Sequence, residues 1–149
     1  MPNMDVRGTF LGVDHIGIAV DNLGEAIERF QRLLGGPPES IEEVEEYGVK
    51  TAFFGVGETN LELLEPLAQQ SPIAKFLQKR GPGVHHVCLS VSNLEGLLQA
   101  LKSAGVRLID ETPRKGAHGK RVAFVHPNAL CGVLLELSEQ MPHNEDSSR

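Results

Sequence analysis

One stretch of the chain occurs twice, and that repeat restricts the fold more than any other feature. Val13-Asp-His-Ile-Gly-Ile-Ala-Val-Asp-Asn-Leu23 returns as Val84-His-His-Val-Cys-Leu-Ser-Val-Ser-Asn-Leu94, with His15 to His86 and Asn22 to Asn93 both 71 residues apart. Self-similarity at a fixed offset marks a repeated supersecondary unit, so it is read before any single motif. Each copy leads into a helical pattern. Residues 24–34 place Ile27, Phe30 and Leu34 on one stripe, and residues 95–104 do the same with Leu97, Leu98 and Leu101. Gly35-Gly36 and Gly105 predict the helix stops, while Asn22 and Asn93, or the adjacent Asp21 and Ser92, predict the N-caps. Three short extended segments follow each helix, near 41–47, 49–56 and 60–65, then near 106–110, 120–126 and 132–138. The unit is strand, helix, strand, strand, strand, used twice: an α+β chain of two tandem βαβββ modules.

Neither module alone buries its sheet, so residues 1–149 are expected to form a single domain. Module 1 covers about 11–66 and module 2 about 83–138, joined by a linker at 67–82. Ser71-Pro-Ile-Ala-Lys-Phe-Leu-Gln-Lys79 in the linker reads as a short helix with proline in its first turn. Residues 139–149 read as a polar, frayed tail. Fourteen Lys plus Arg against twenty Asp plus Glu give a net charge of −6, which argues against a nucleic-acid coat protein but not against a small phosphorylated ligand. No apolar run reaches the ~18 residues that span a bilayer. The first residues lack the basic and apolar regions of a secretory signal. A cytoplasmic protein without nucleic-acid or membrane partners is expected, with Cys88 and Cys131 as reduced structural thiols.

Strand alternation sorts the side chains by face. Ile16, Ile18 and Val20 take the helix-facing side of the first strand, leaving His15, Gly17 and Ala19 on the other. In the second copy Val87, Leu89 and Val91 face the helix, while His86, Cys88 and Ser90 are opposite. Each imidazole therefore sits beside small residues that leave room, and this face is expected to line a cavity. Leu61-Glu-Leu63 and Leu135-Glu-Leu137 add one carboxylate per module, Glu62 and Glu136, 74 residues apart. Two histidines and two glutamates related by an internal repeat suit one divalent ion such as Zn, Co, Ni, Mn or Fe. Glu58, Glu65, Asp110 and Glu111 have no such pairing and read as turn or surface charges. His85 falls on the helix-facing side and reads as structural, while His118 and His126 lie in loops where a rim or substrate role is open.

These residues resemble the vicinal oxygen chelate superfamily, and within it the methylmalonyl-CoA epimerases. The resemblance is carried by Val13-Asp-His-Ile-Gly-Ile-Ala-Val20, Glu62-Leu-Leu-Glu-Pro66, Ser71-Pro-Ile-Ala-Lys-Phe-Leu77, Gly83-Val-His-His-Val-Cys88, Gly105-Val-Arg-Leu-Ile-Asp110, Phe124-Val-His-Pro127 and Gly132-Val-Leu-Leu-Glu-Leu137. It implies eight strands curled around a metal-centred cleft, usually in a homodimer. It matches His15, Glu62, His86 and Glu136 to the family's metal ligands, with Glu136 also at an acid/base position. The implied activity is interconversion of the two C2 epimers of methylmalonyl-CoA, with an acyl-CoA thioester as substrate. Where some members carry a glutamate proposed as the other acid/base group, this chain has Thr51; Glu45, Glu46, His118 or a metal-bound water are the alternatives. Arg114, Lys115 and Lys120 form a basic stretch open to coenzyme A phosphates or to solvent. A glyoxalase I-like isomerase uses a similar ligand set and stays open as a second activity. So does a metal-free binding or resistance protein on the same scaffold, while an extradiol dioxygenase site would use one carboxylate rather than two.

Overall fold

The computed structural model describes residues 5–142, so the part of the predicted tail from 143 onward lies outside the described residues. Among the described residues, eight strands and three α-helices follow the order strand, helix, three strands in each half, with the linker helix between the halves. The first half contains β1 (Phe10–Ala19), α1 (Leu23–Leu34), β2 (Ser40–Val44), β3 (Val49–Val56) and β4 (Thr59–Pro66), then α2 (Pro72–Arg80). The second contains β5 (Gly83–Val91), α3 (Leu94–Ser103), β6 (Arg114–Lys115), β7 (Lys120–Val125) and β8 (Leu135–Gln140). The strands form one mixed eight-stranded sheet in the order β2-β3-β4-β1-β5-β8-β7-β6. Among the described residues, no helix is long and apolar enough to cross a membrane.

Two compact units divide the chain: Asp14–Val87, and the described residues before Asp14 with those after Val87. In the first, Asn22 caps α1 by accepting from the Glu25 N–H at 3.0 Å, and the Leu23 N–H donates to Glu65 Oε1 at 3.1 Å. Glu65, read as a surface charge, thus satisfies a helix end that would otherwise lack a partner. Gly35 closes the helix in the left-handed conformation, with φ of 84°. Leu23, Ala26, Ile27 and Phe30 of α1 pack on Ile18, Val20, Ala52, Phe54, Leu61 and Leu63. On the opposite face of the strands, Ile73, Phe76 and Leu77 of α2 cluster with Ala19, Val49 and Leu64. The linker predicted at 67–82 therefore supplies part of a core rather than a spacer, which is why the unit runs on to Val87.

The second unit repeats the plan. Asn93 caps α3 through the Gly96 N–H at 3.2 Å. Leu94, Leu97 and Leu98 pack on Val91, Ala123, Val125 and Leu137, with Val6 against the same cluster. The Ser92 N–H donates to the Thr9 carbonyl, tying the residues before Asp14 to this unit. The repeat extends to strand register: Ala52 lies opposite Leu63 and Phe53 opposite Glu62, just as Ala123 lies opposite Leu137 and Phe124 opposite Glu136. In both units the Ala–Leu pair is fully buried toward the helix, which puts the Phe–Glu pair on the other face.

Four expectations need correction. The segment at 106–110 is not a strand: Leu108 makes one isolated bridge to Val125, and the N–H groups of both Ile109 and Asp110 donate to the Phe124 carbonyl. The Asp110 carboxylate accepts the Phe124 N–H at 2.8 Å, taking the place a ladder partner would fill, and pairing resumes only at Arg114–Lys115. At the other end, residues 132–134 are not strand and β8 starts at Leu135, after Cys131 and Gly132 take left-handed backbone conformations. β8 then runs to Gln140, so residues 139 and 140 belong to the sheet rather than to a frayed tail. Residues 45–47 are a short helical turn between β2 and β3, not an extension of β2.

Candidate functional site

β1 and β4 run parallel, with Gly17 beside Glu62, and β3 runs antiparallel to β4, with Phe53 opposite Glu62. Phe53, Glu62 and Gly17 thus form a row across three strands, on the same face as His15. Glycine makes a gap in that row, and the His86 ring from β5 fills it: a Cβ built at Gly17 would collide with His86 Cε1 and Nδ1. Ala19, two residues along, is covered by Ile73 of α2. The small residues beside His15 therefore do leave room, as expected, but the first unit fills that room itself with an imidazole and an isoleucine.

The imidazoles meet edge to face, with ring centroids 5.1 Å apart. His15 Nε2 is 3.0 Å from His86 Nε2 and 3.3 Å from Glu62 Oε2. His86 is buried, and the side chains of His15 and Glu62 are only 12% and 14% exposed. Burial pushes the His86 pKa down to about 3, with the neighbouring His15 and His85 adding to the effect. The ring is therefore neutral near pH 7, the form that carries a ligating lone pair. Three of the four residues assigned to the metal come together at His15 Nε2. The fourth, Glu136, lies in β8 of the second unit, nearly buried between Leu135 and Leu137 and opposite Phe124.

The donor set fits a divalent first-row ion. Imidazole nitrogen and carboxylate oxygen bind such ions at about 2.0–2.2 Å, so two ligands of one ion lie about 2.9 Å apart at a right angle and about 3.4 Å apart at the tetrahedral angle. Separations of 3.0 and 3.3 Å around His15 Nε2 fall inside that span. The outer nitrogens are also held. His15 Nδ1–H donates to Asp14 Oδ2 at 2.7 Å, and His86 Nδ1 meets His85 Nδ1 at 2.9 Å. Partners of this kind orient metal-binding histidines and set their tautomers. Neither Asp14 nor His85 was assigned to the site from alternation, although their positions directly before His15 and His86 were the available signal.

Other residues singled out in the sequence have local duties. Thr51 is buried, and its hydroxyl donates to the Glu42 carbonyl at 3.4 Å. The Arg114 guanidinium lies 3.4 Å from Asp110 and over the Phe124 ring, and Glu111 pairs with Lys102 at 3.0 Å. His126 Nδ1 accepts the Asn128 N–H at 3.0 Å, capping a short turn, and His118 is exposed with a positive φ of 58°.

Residues 14–124 match the model of the glyoxalase/bleomycin resistance protein/dioxygenase superfamily, and the chain belongs to that superfamily. A mitochondrial methylmalonyl-CoA epimerase of Dictyostelium discoideum is 42% identical over 130 residues, 86% of this chain and 78% of that protein. The crystal structure of methylmalonyl-CoA epimerase from Mycobacterium tuberculosis matches with a TM-score of 0.85 and 38% identity, over 99% of this chain and 98% of that one. A structure of methylmalonyl-CoA epimerase in complex with methylmalonyl-CoA and NH4+ matches with a TM-score of 0.82 and 33% identity, over 89% of this chain and 96% of that one. Within the superfamily, this chain belongs to the methylmalonyl-CoA epimerases, a family of enzymes.

Proposed function

We propose that this enzyme interconverts the two C2 epimers of methylmalonyl-CoA, with one divalent ion held by His15, Glu62, His86 and Glu136. The observation that carries this reading is the meeting of His86 and Glu62 at His15 Nε2 in a chain 42% identical to a named epimerase. Bound there, a divalent ion supplies Lewis acidity that offsets negative charge developing on substrate oxygens. As ligands His15 and His86 would contribute nitrogen lone pairs from uncharged rings, and Glu62 would contribute a carboxylate. The substrate's C2–H lies between a carboxylate and a thioester carbonyl, so its removal gives an enolate that is planar at C2. Glu136 takes or returns a proton on one face of that carbon, as a general acid/base. The opposite face needs a second group, and Thr51, with its hydroxyl turned to a backbone carbonyl, is unsuited to that task.

Incubation with one epimer in deuterated water tests the reading. Deuterium should appear at C2 together with loss of stereochemical purity, cease on treatment with a chelator, and return on addition of Co or Mn. Exchange that persists in a protein shown by elemental analysis to be metal-free would remove the ion from the account. Turnover of a glutathione hemithioacetal in place of the thioester would assign the glyoxalase activity instead. Thr51→Ala should leave the exchange rate within about threefold of the parent while costing on the order of 1 kcal/mol of stability. A large loss of rate would return Thr51 to the chemistry. A homodimer is part of the same proposal: Phe10, Leu11 and Val13 at the start of β1 are exposed and apolar, as a surface for a second copy requires. Sedimentation equilibrium should give twice the chain mass.

A further inference from the structure

Four side chains of the first unit form an unbroken line, Asp14–His15–His86–His85, with successive contacts of 2.7, 3.0 and 2.9 Å. Each neutral imidazole has one donor and one acceptor nitrogen, so the proton position on one ring dictates the next. The Asp14 carboxylate accepts only, so a neutral His15 ring carries its proton on Nδ1 and leaves Nε2, which faces both His86 Nε2 and Glu62 Oε2, as an acceptor. His86 Nε2–H then donates to His15, and His86 Nδ1 accepts from His85 Nδ1–H. Ligation by both Nε2 atoms requires a different assignment. The His86 proton has to sit on Nδ1, and a partner has to accept it there. His85 can do so only by carrying its own proton on Nε2. The same atom, His85 Nδ1, must therefore donate in one state and accept in the other, which an imidazole can do and a donor-only or acceptor-only side chain cannot. The ring is held for this: His85 is half-buried and packs edge to face on Phe76 of α2, with centroids 5.0 Å apart.

We infer that His85 is a positioning residue for the metal centre, a reversible hydrogen-bond partner that turns the His86 Nε2 lone pair toward a divalent cation. The inference rests on the metal reading above and goes beyond it, because it assigns a role to a residue outside the ligand set.

Two measurements on the full chain test it. Isothermal titration of metal-free protein with Co2+ should show His85→Phe, which keeps a ring against Phe76, binding about 10- to 100-fold more weakly than the parent. Nitrogen-15 spectra of the parent protein should place the His85 proton on Nδ1 without metal and on Nε2 after loading with Zn2+, with the His86 proton moving to Nδ1. The spectra need no variant, so they decide the matter even if His85→Phe does not fold. Equal Co2+ affinity in His85→Phe, or a His85 proton that stays on Nδ1 in the zinc-loaded protein, overturns the inference while leaving the metal site standing. A parent chain that binds neither ion would remove the metal reading and this inference together.

Discussion

His86→Ala should bind no divalent ion tightly and lose C2–H exchange by about 10²- to 10³-fold or more, the scale of removing one group that stabilises developing charge. The reasoning starts from its contacts. His86 Nε2 is one of two imidazole nitrogens at the centre of the site, 3.0 Å from His15 Nε2, and its Nδ1 is the atom that His85 meets. Truncation therefore removes a proposed ligand and leaves both His15 and His85 without a partner they have in the parent. It also empties the gap above Gly17 that the ring occupies. Metal content per chain and the rate of deuterium incorporation check the outcome, with circular dichroism to establish that the variant remains folded. A folded His86→Ala protein that retains parental exchange would place the chemistry elsewhere.

Gly17→Ala is expected to do comparable damage without removing any polar group. Gly17 does not belong to the glycines with positive φ, so its backbone admits alanine; the obstacle is the His86 ring. Relief requires that ring to move, yet it is buried and held at both nitrogens, and moving it misdirects Nε2. Overpacking of this kind costs about 1–3 kcal/mol. A reacting group displaced by about 1 Å loses on the order of 10²-fold in rate. Gly24→Ala, in the first turn of α1, makes a matched control, since its Cβ would meet nothing closer than Asn22 Oδ1 at 3.5 Å. Denaturant midpoints and exchange rates of the two variants check the comparison. Parental stability and rate in Gly17→Ala would show that the ring yields without cost.

Much of this is legible in the sequence because a duplicated pattern states each fact twice. The offset shared by His15–His86 and Asn22–Asn93 anticipated strand, cap and helix in both halves, and both asparagines do cap. Alternation in Leu61-Glu-Leu63 and Leu135-Glu-Leu137 correctly turned the glutamates away from the helices, since Leu63 and Leu137 are buried in the α1 and α3 clusters. Alternation failed for 106–110, where a carboxylate substitutes for a ladder partner and ends regular pairing. Face assignment also did not anticipate that the His85 ring nitrogen reaches His86 Nδ1 from the neighbouring residue, a lateral contact that a two-faced picture of a strand does not contain.

The order of elements, the helix caps, the inward leucines and the residue types of the proposed metal set were determined by the sequence alone, because they depend on local backbone preference and period. Tertiary structure decided that Gly17 exists to admit the His86 ring, that α2 covers Ala19, and that Asp14 and His85 flank the paired imidazoles. Those facts depend on which side chains fill the same few cubic ångströms. Residues 71 positions apart share that space only after the strands have paired, so no local pattern encodes it.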